Sequence, residues 1–216
     1  MRSSAVVSGL LSVLLLVLVA AHWAPLVTVD REVAVALHRS AVAEPGFTRL
    51  NRILSDWVWD PWTMRALLAA TVLVLWRLRE HRLALWAGAA GLLTAGVQHA
   101  VKALVGRDRP YWPDPVDSAR FDAFPSSHAM TATVTCGLLL WVLALHWRDG
   151  WRGWSVVTVA ALVSVLGVGW TRVYLGVHWP SDVVGGWLLG VCLVCVTVLT
   201  YRSGRPRPGT GQTVGE

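Results

Sequence analysis

The sequence predicts an all-α fold, a transmembrane bundle of six spans whose active site lies at the outer ends of spans three to six. Three observations predict it. The 216 residues are 55% apolar and only 15% charged, with mean hydropathy +0.52, whereas soluble domains sit nearer a quarter charged. Six apolar runs approach the roughly 20 residues that cross a bilayer. Three polar clusters interrupt the chain where span parity brings them to one face. Six spans use roughly 120 residues, which leaves room for loops and no separate soluble domain. Disorder is excluded for most of the chain by the apolar content, and a disulfide scaffold by a count of three cysteines.

The spans are read from the runs Ala5 to Ala21, Trp57 to Trp76, Leu83 to Val101, Ala129 to Trp147, Gly153 to Thr171 and Val183 to Tyr201. The first run follows Arg2 and ends in Val19-Ala20-Ala21, a small-residue stretch of the kind found before cleavage sites; its length and the later spans favour an uncleaved anchor. The second is interrupted by Asp60 and Arg65, and Arg65 is expected to snorkel toward the interface. Residues 22–60 read as a long, charge-mixed loop with a turn at Ala43-Glu44-Pro45-Gly46, on the side of the site. Small residues at Gly88, Gly91, Gly96, Gly185, Gly186 and Gly190 suit close helix packing. Residues 1–201 form one domain with its signature region at 102–182, and the Gly-, Pro- and Arg-rich 202–216 is an expected disordered tail.

The net charge of +6 is compatible with nucleic-acid binding, but its distribution argues against that partner. Eighteen of nineteen basic residues are Arg, set in short gaps between apolar runs, where cations meet lipid headgroups. Each side of the bilayer receives nine, and those beside the termini (Arg2, 77–82, 146–152, 202–207) are packed into shorter segments. Density therefore predicts cytoplasmic termini and a site facing the outer side. Ten of the fourteen Trp, including Trp57, Trp59, Trp62, Trp112, Trp147 and Trp170, fall near span ends, where rings anchor at headgroup level. Cys136, Cys192 and Cys195 read as small packing residues, and Gln98 and His99 as helix–helix hydrogen bonders.

Ionisable groups within or beside spans are expensive and default to functional candidates. Lys102, the only lysine, and Arg109 leave the third span; Ser126, Ser127 and His128 enter the fourth; Arg172, His178 and Asp182 lie between the fifth and sixth. Three cations suit an anion with several oxygens, and the Ser126-Ser127-His128 turn opens a helix whose N-terminus offers free N–H groups to it. Two histidines and a carboxylate supply proton transfer, or a nucleophile with an orienting partner. Together they read as phosphoryl-transfer equipment. His128, His178 and Asp182 also match a two-His-one-carboxylate metal set, but three neighbouring cations oppose a divalent ion and no acidic cluster is evident to offset them.

These segments resemble the signatures of the type 2 phosphatidic acid phosphatase superfamily of integral-membrane lipid phosphatases: Lys-x6-Arg-Pro, then Pro-Ser-Gly-His, then Ser-Arg-x5-His-x3-Asp. Lys102, Arg109 and Pro110 match the first; Pro125, Ser126 and His128 match the second with Ser127 in place of Gly; Arg172, His178 and Asp182 match the third with Thr171 in place of Ser.

The resemblance implies a hydrolase of lipid phosphates or diphosphates in a bacterial plasma membrane, without metal or other cofactor. By residue, it implies His178 as the nucleophile that becomes phosphohistidine, Asp182 as its orienting carboxylate and His128 as acid then base. Lys102, Arg109, Arg172, Ser126 and the backbone at Ser127 hold the phosphoryl group. A polyprenyl diphosphate, phosphatidic acid or phosphatidylglycerol phosphate is the expected substrate. A lipid phosphotransferase and a non-enzymatic anion-binding or transport protein are the alternatives.

Overall fold

The computed structural model describes residues 1–146 and 151–203. Among these the elements are helices α1 (Arg2–Ala20), α2 (Ala24–Ala43), α3 (Pro45–Ile53), a π-helical turn (Leu54–Val58), α4 (Pro61–Arg77), α5 (His81–Val105), α6 (Ser127–His146), α7 (Trp151–Tyr174) and α8 (Pro180–Ser203). The described residues form helices and no strand, in agreement with the expected all-α class. Five segments are long and apolar enough to cross a membrane: α1, Pro45–Arg77 taken as one, α6, Gly153–Tyr174 within α7, and α8. Helix α5 has the length, about 37 Å at 1.5 Å per residue, but Gln98, His99 and three glycines dilute its apolarity.

Helices begin where the sequence supplies starts. Pro45, Pro61 and Pro180 each open a helix, a position where the missing N–H has no intrahelical partner to lose. The Asp60 carboxylate caps α4 by accepting from Trp62 N at 2.7 Å and Thr63 N at 3.4 Å. Helix α4 thus starts at Pro61, while the apolar segment that contains the expected second span runs from Pro45 to Arg77. Arg65 donates to Gln98 Oε1 of α5 at 3.3 Å and lies over the Trp62 ring.

The stretch 22–60 is not a loop. Its charged residues break every apolar run, yet Asp30, Ala34, His38 and Ala41 fall on one face of α2 and are buried against α7 and α8. A search for uninterrupted runs misses such a helix, because the burial of Asp30 depends on a distant Arg.

The core is built around α6 and α8, the most extensively packed pair, with α1 on the far side of α8 and α4, α5 and α7 around α6. A Cβ at Gly186 would lie 2.8 Å from the Ser126 carbonyl oxygen, and one at Gly190 would lie 2.7 Å from Thr133 Cβ, so absent side chains set this approach. Leu68, Leu75, Leu83, Val134, Leu138 and Val198 fill the end of the bundle away from the polar clusters. Two tryptophans expected at headgroup level do other work: Trp59 is buried against Gly167 of α7, and Trp112 stacks on His38 with ring centroids 4.0 Å apart. Trp57 and Trp62 are exposed. Cys136 and Cys195 are buried without a disulfide. Helix α8 continues through Ser203, taking Arg202 out of the expected tail; the rest of that tail, Trp147 and the turn at 147–150 lie outside the described residues.

Candidate active site

Each polar cluster hangs on a helix end. Lys102 sits on the last turn of α5, which closes on Gly106 at φ +57°, a left-handed conformation that favours a residue without Cβ. The non-helical stretch to Ser126 follows and carries Arg109. Ser126 stands before α6 and its N–H donates to the Asp182 carbonyl at 2.9 Å, tying the starts of α6 and α8 together. Arg172 lies on the last turn of α7, Gly176 turns the chain at φ +69°, and His178 precedes Pro180 and the first turn of α8 with Asp182.

His178 is buried between two charged partners. Its Nδ1 lies 3.3 Å from Asp182 Oδ2, and its Nε2 lies 3.1 Å from Arg109 Nη1. A guanidinium has only donors, so Nε2 accepts and the ring proton sits on Nδ1, where Asp182 accepts it. Asp182 Oδ2 also accepts from the Trp179 N–H at 2.9 Å. Burial holds His178 well below its ordinary value of 6.5, and Arg109, Arg172 and Lys102 push it the same way. The imidazole is therefore neutral, with a lone pair on Nε2. Burial likewise lowers Arg109 from its usual value.

A cavity of about 330 Å³ opens in front of Nε2. Of the expected site residues, Lys102, Arg109, Ser127, His128, Arg172 and His178 line it. Asp182 and Ser126 are fully buried behind it; the Ser126 hydroxyl accepts from Ala129 N at 3.4 Å. The cations are already engaged. Lys102 Nζ donates to the Asp122 carbonyl, Arg109 donates to the carbonyls of Phe121 (2.7 Å), Arg120 (3.0 Å) and Val177 (2.5 Å), and Arg172 donates to Ser55 Oγ at 2.7 Å. Thr171, which replaces the family Ser, turns its hydroxyl back to Val168 O at 2.9 Å and away from the cavity. Gln98 bridges helices, donating to Thr131 Oγ1 at 2.8 Å and Ser127 O at 3.3 Å, whereas His99 Nδ1 pairs with Ala95 O of its own helix at 2.8 Å.

Two features escaped the sequence reading. First, an acidic wall exists: Asp56, Asp60 and Asp117 line the same cavity, and Asp117 Oδ2 lies 3.7 Å from Arg172 Nη1. They come from two segments far apart in the chain, which hides them from motif spacing. Among the described residues no three His, Cys, Asp or Glu side chains are grouped to hold a metal ion. Second, Arg107 links Asp182 Oδ1 (2.6 Å), Ser181 Oγ (2.7 Å) and Asp30 Oδ2 (2.7 Å). In the sequence it is one Arg among eighteen.

A sequence model of the PAP2 superfamily matches residues 83–206, more than half of the chain. The chain belongs to the PAP2 superfamily. Similar curated proteins include YbjG of Escherichia coli (strain K12), provisionally named an undecaprenyl-diphosphatase, at 36% identity over 57% of this chain and 60% of that protein. Phosphatidylglycerophosphatase B of Bacillus subtilis (strain 168) is 34% identical over 50% of this chain and 55% of its own length. The chain thus spans somewhat over half the length of these two relatives. Decaprenylphosphoryl-5-phosphoribose phosphatase of Mycobacterium tuberculosis (strain ATCC 25618 / H37Rv) is 32% identical over 81% of this chain and 92% of that one. Among solved structures, a transmembrane PAP2 type phosphatidylglycerolphosphate phosphatase from Bacillus subtilis superposes with a TM-score of 0.83 at 21% identity, over 94% of this chain and 98% of that one, which shows a shared fold.

Proposed function

We propose that this PAP2 protein is a membrane-embedded phosphatase that hydrolyses a lipid phosphate or diphosphate through a phosphohistidine. The observation that carries the reading is the unprotonated Nε2 of His178, backed through Nδ1 by Asp182, facing a cavity lined by Lys102, Arg109 and Arg172. The Nε2 lone pair attacks phosphorus in line, the bond from phosphorus to the leaving oxygen breaks, and His128 gives that oxygen its proton. His128 then takes a proton from water, the water oxygen attacks phosphorus, and the P–N bond breaks to release phosphate. The three cations, Ser126 and the N–H groups at the start of α6 stabilise charge on the phosphoryl oxygens, so the reading needs no metal.

An amphiphilic substrate suits the surroundings. An apolar cavity of about 520 Å³, lined by Phe47, Leu50, Leu54, Trp59 and Leu166, reaches Thr171, the neighbour of Arg172. The names of the relatives agree on lipid-linked phosphates while differing in the lipid; we favour a polyprenyl diphosphate. In the proposed topology α5 joins the five apolar segments as a sixth span, the termini are cytoplasmic and the cavity opens at the outer face of a bacterial plasma membrane, a reading supported by the denser Arg clusters beside the termini.

The test is phosphate release by purified protein in mixed micelles from phosphatidic acid, phosphatidylglycerol phosphate and a polyprenyl diphosphate. His178→Ala should abolish release from whichever lipid is turned over. Undiminished release by the variant would refute the mechanism, and transfer of the group to an added alcohol in place of water would reassign the protein as a phosphotransferase.

A further inference from the structure

Behind the cavity, the carboxylate that holds His178 is itself held. Arg107 Nη1 donates to Asp182 Oδ1 at 2.6 Å and its Nη2 to Asp30 Oδ2 at 2.7 Å, while Asp30 Oδ1 accepts from the Ser181 N–H at 2.9 Å and Asp30 Oδ2 from the Ser181 hydroxyl. The side chains of Asp30, Arg107 and Asp182 are 2%, 11% and 0% exposed. A buried ion triad is a poor stability device, since desolvating the charges offsets most of their attraction and apolar residues of like volume would serve as well. Its geometry suits orientation instead. The planar guanidinium fixes Asp182 through Oδ1 and leaves Oδ2 for His178 Nδ1.

Resting on the phosphatase reading above, we propose that Arg107 and Asp30 are positioning residues, which hold Asp182 against His178 and fix the net charge behind the nucleophile at one negative unit. Phosphorylation at Nε2 places one positive charge on the ring, and a triad with one net negative charge matches it. Without Arg107 the two carboxylates would overstabilise the ring cation before attack; without Asp30 the remaining pair is neutral and would leave the phosphorylated ring uncompensated. Other charges facing the His178 ring are Arg109 from the stretch after α5, Lys102 from α5 and Arg172 from α7, with His128 of α6 as a further titratable neighbour. None of them is altered in the test.

The test measures two things on full-length protein in micelles: kcat and KM against pH with a lipid phosphate, and the pH at which the His178 ring protonates, followed by ¹⁵N NMR without substrate. Arg107→Gln should lower kcat at least tenfold with KM changed less than threefold, and move His178 protonation to higher pH. Asp30→Asn keeps an acceptor for Ser181 N–H and should move it to lower pH. Arg107→Lys should restore the protonation pH toward wild type while recovering kcat only in part, since one ammonium cannot grip both carboxylates as a fork does. Opposite shifts in the two charge variants support the proposal; shifts of the same sign, or none, in folded protein overturn it. Should Arg107→Gln fail to fold, Asp30→Asn and Arg107→Lys still decide the matter through the NMR reading. Because that reading needs no turnover, it also separates failure of this proposal from failure of the phosphatase reading.

Discussion

Asp117 neighbours Arg172, one of the cations assigned to the phosphoryl group in the proposed mechanism, so Asp117→Asn should tighten binding of oxyanions. Its Oδ2 lies 3.7 Å from Arg172 Nη1 with no hydrogen-bond partner of its own, and its side chain is 14% exposed. Two unit charges at that distance interact by about 1 kcal/mol in bulk water and about 4 kcal/mol at an effective dielectric near 20. The two side chains are only 4% and 14% exposed, so the bulk-water figure is a floor, and about 1 kcal/mol corresponds to at least roughly fivefold in affinity. Removing repulsion between Asp117 and a bound dianion acts in the same direction. Asn preserves the Oδ1 that accepts from Ser118 N at 2.7 Å, which keeps the local turn. The assay is the inhibition constant of orthovanadate or inorganic phosphate at fixed pH, with the thermal midpoint as a folding control. A constant that is unchanged or weaker, in a variant that melts like wild type, would refute the view that Asp117 holds Arg172 away from substrate.

Two further outcomes follow from the geometry. The free His178 ring should remain neutral well below pH 6.5, because burial and three cations depress it; between its folded value and 6.5 the unfolded chain binds the extra proton, so the His178 contribution to stability falls as pH drops below 6.5 and is fully restored above it. A ¹⁵N titration of the ring that reports a midpoint at or above 6.5 would contradict the burial argument. Gly186→Val would place a Cβ 2.8 Å from the rigid Ser126 carbonyl and should destabilise by about 1–3 kcal/mol; an unchanged melting midpoint and unchanged phosphate release would show that α6 and α8 can separate freely.

What the sequence reveals of this site follows from the kind of constraint each residue obeys. Phosphoryl chemistry demands particular side chains, so Lys102, Arg109, His128, Arg172, His178 and Asp182 stand out as polar residues at the ends of apolar runs. Span parity then predicts that they can meet, and five of them, all but Asp182, do line one cavity. Helix α2 is hidden because its buried face includes Asp30 and His38, residues whose burial is tolerable only through partners 77 and 76 positions away, Arg107 and Asp114. Asp56 and Asp117 are hidden likewise, since nothing local marks a carboxylate that will face a distant Arg. Gln98 is legible because an amide inside an apolar helix must find a partner, whereas its neighbour His99 is satisfied by its own backbone.

The peptide oxygens of Phe121, Arg120 and Asp122 that occupy Arg109 and Lys102 have a consequence for turnover. They act as a built-in solvent for the two cations, so in the proposed reaction an arriving phosphate would exchange one set of oxygens for another and would not strip a hydration shell from a bare charge. On the same proposal these oxygens would take the cations back as inorganic phosphate departs, which would lower the cost of release. In the proposed cycle the segment around residue 121 would thus take part through its backbone oxygens, beside the Arg120 and Phe121 side chains that line the cavity.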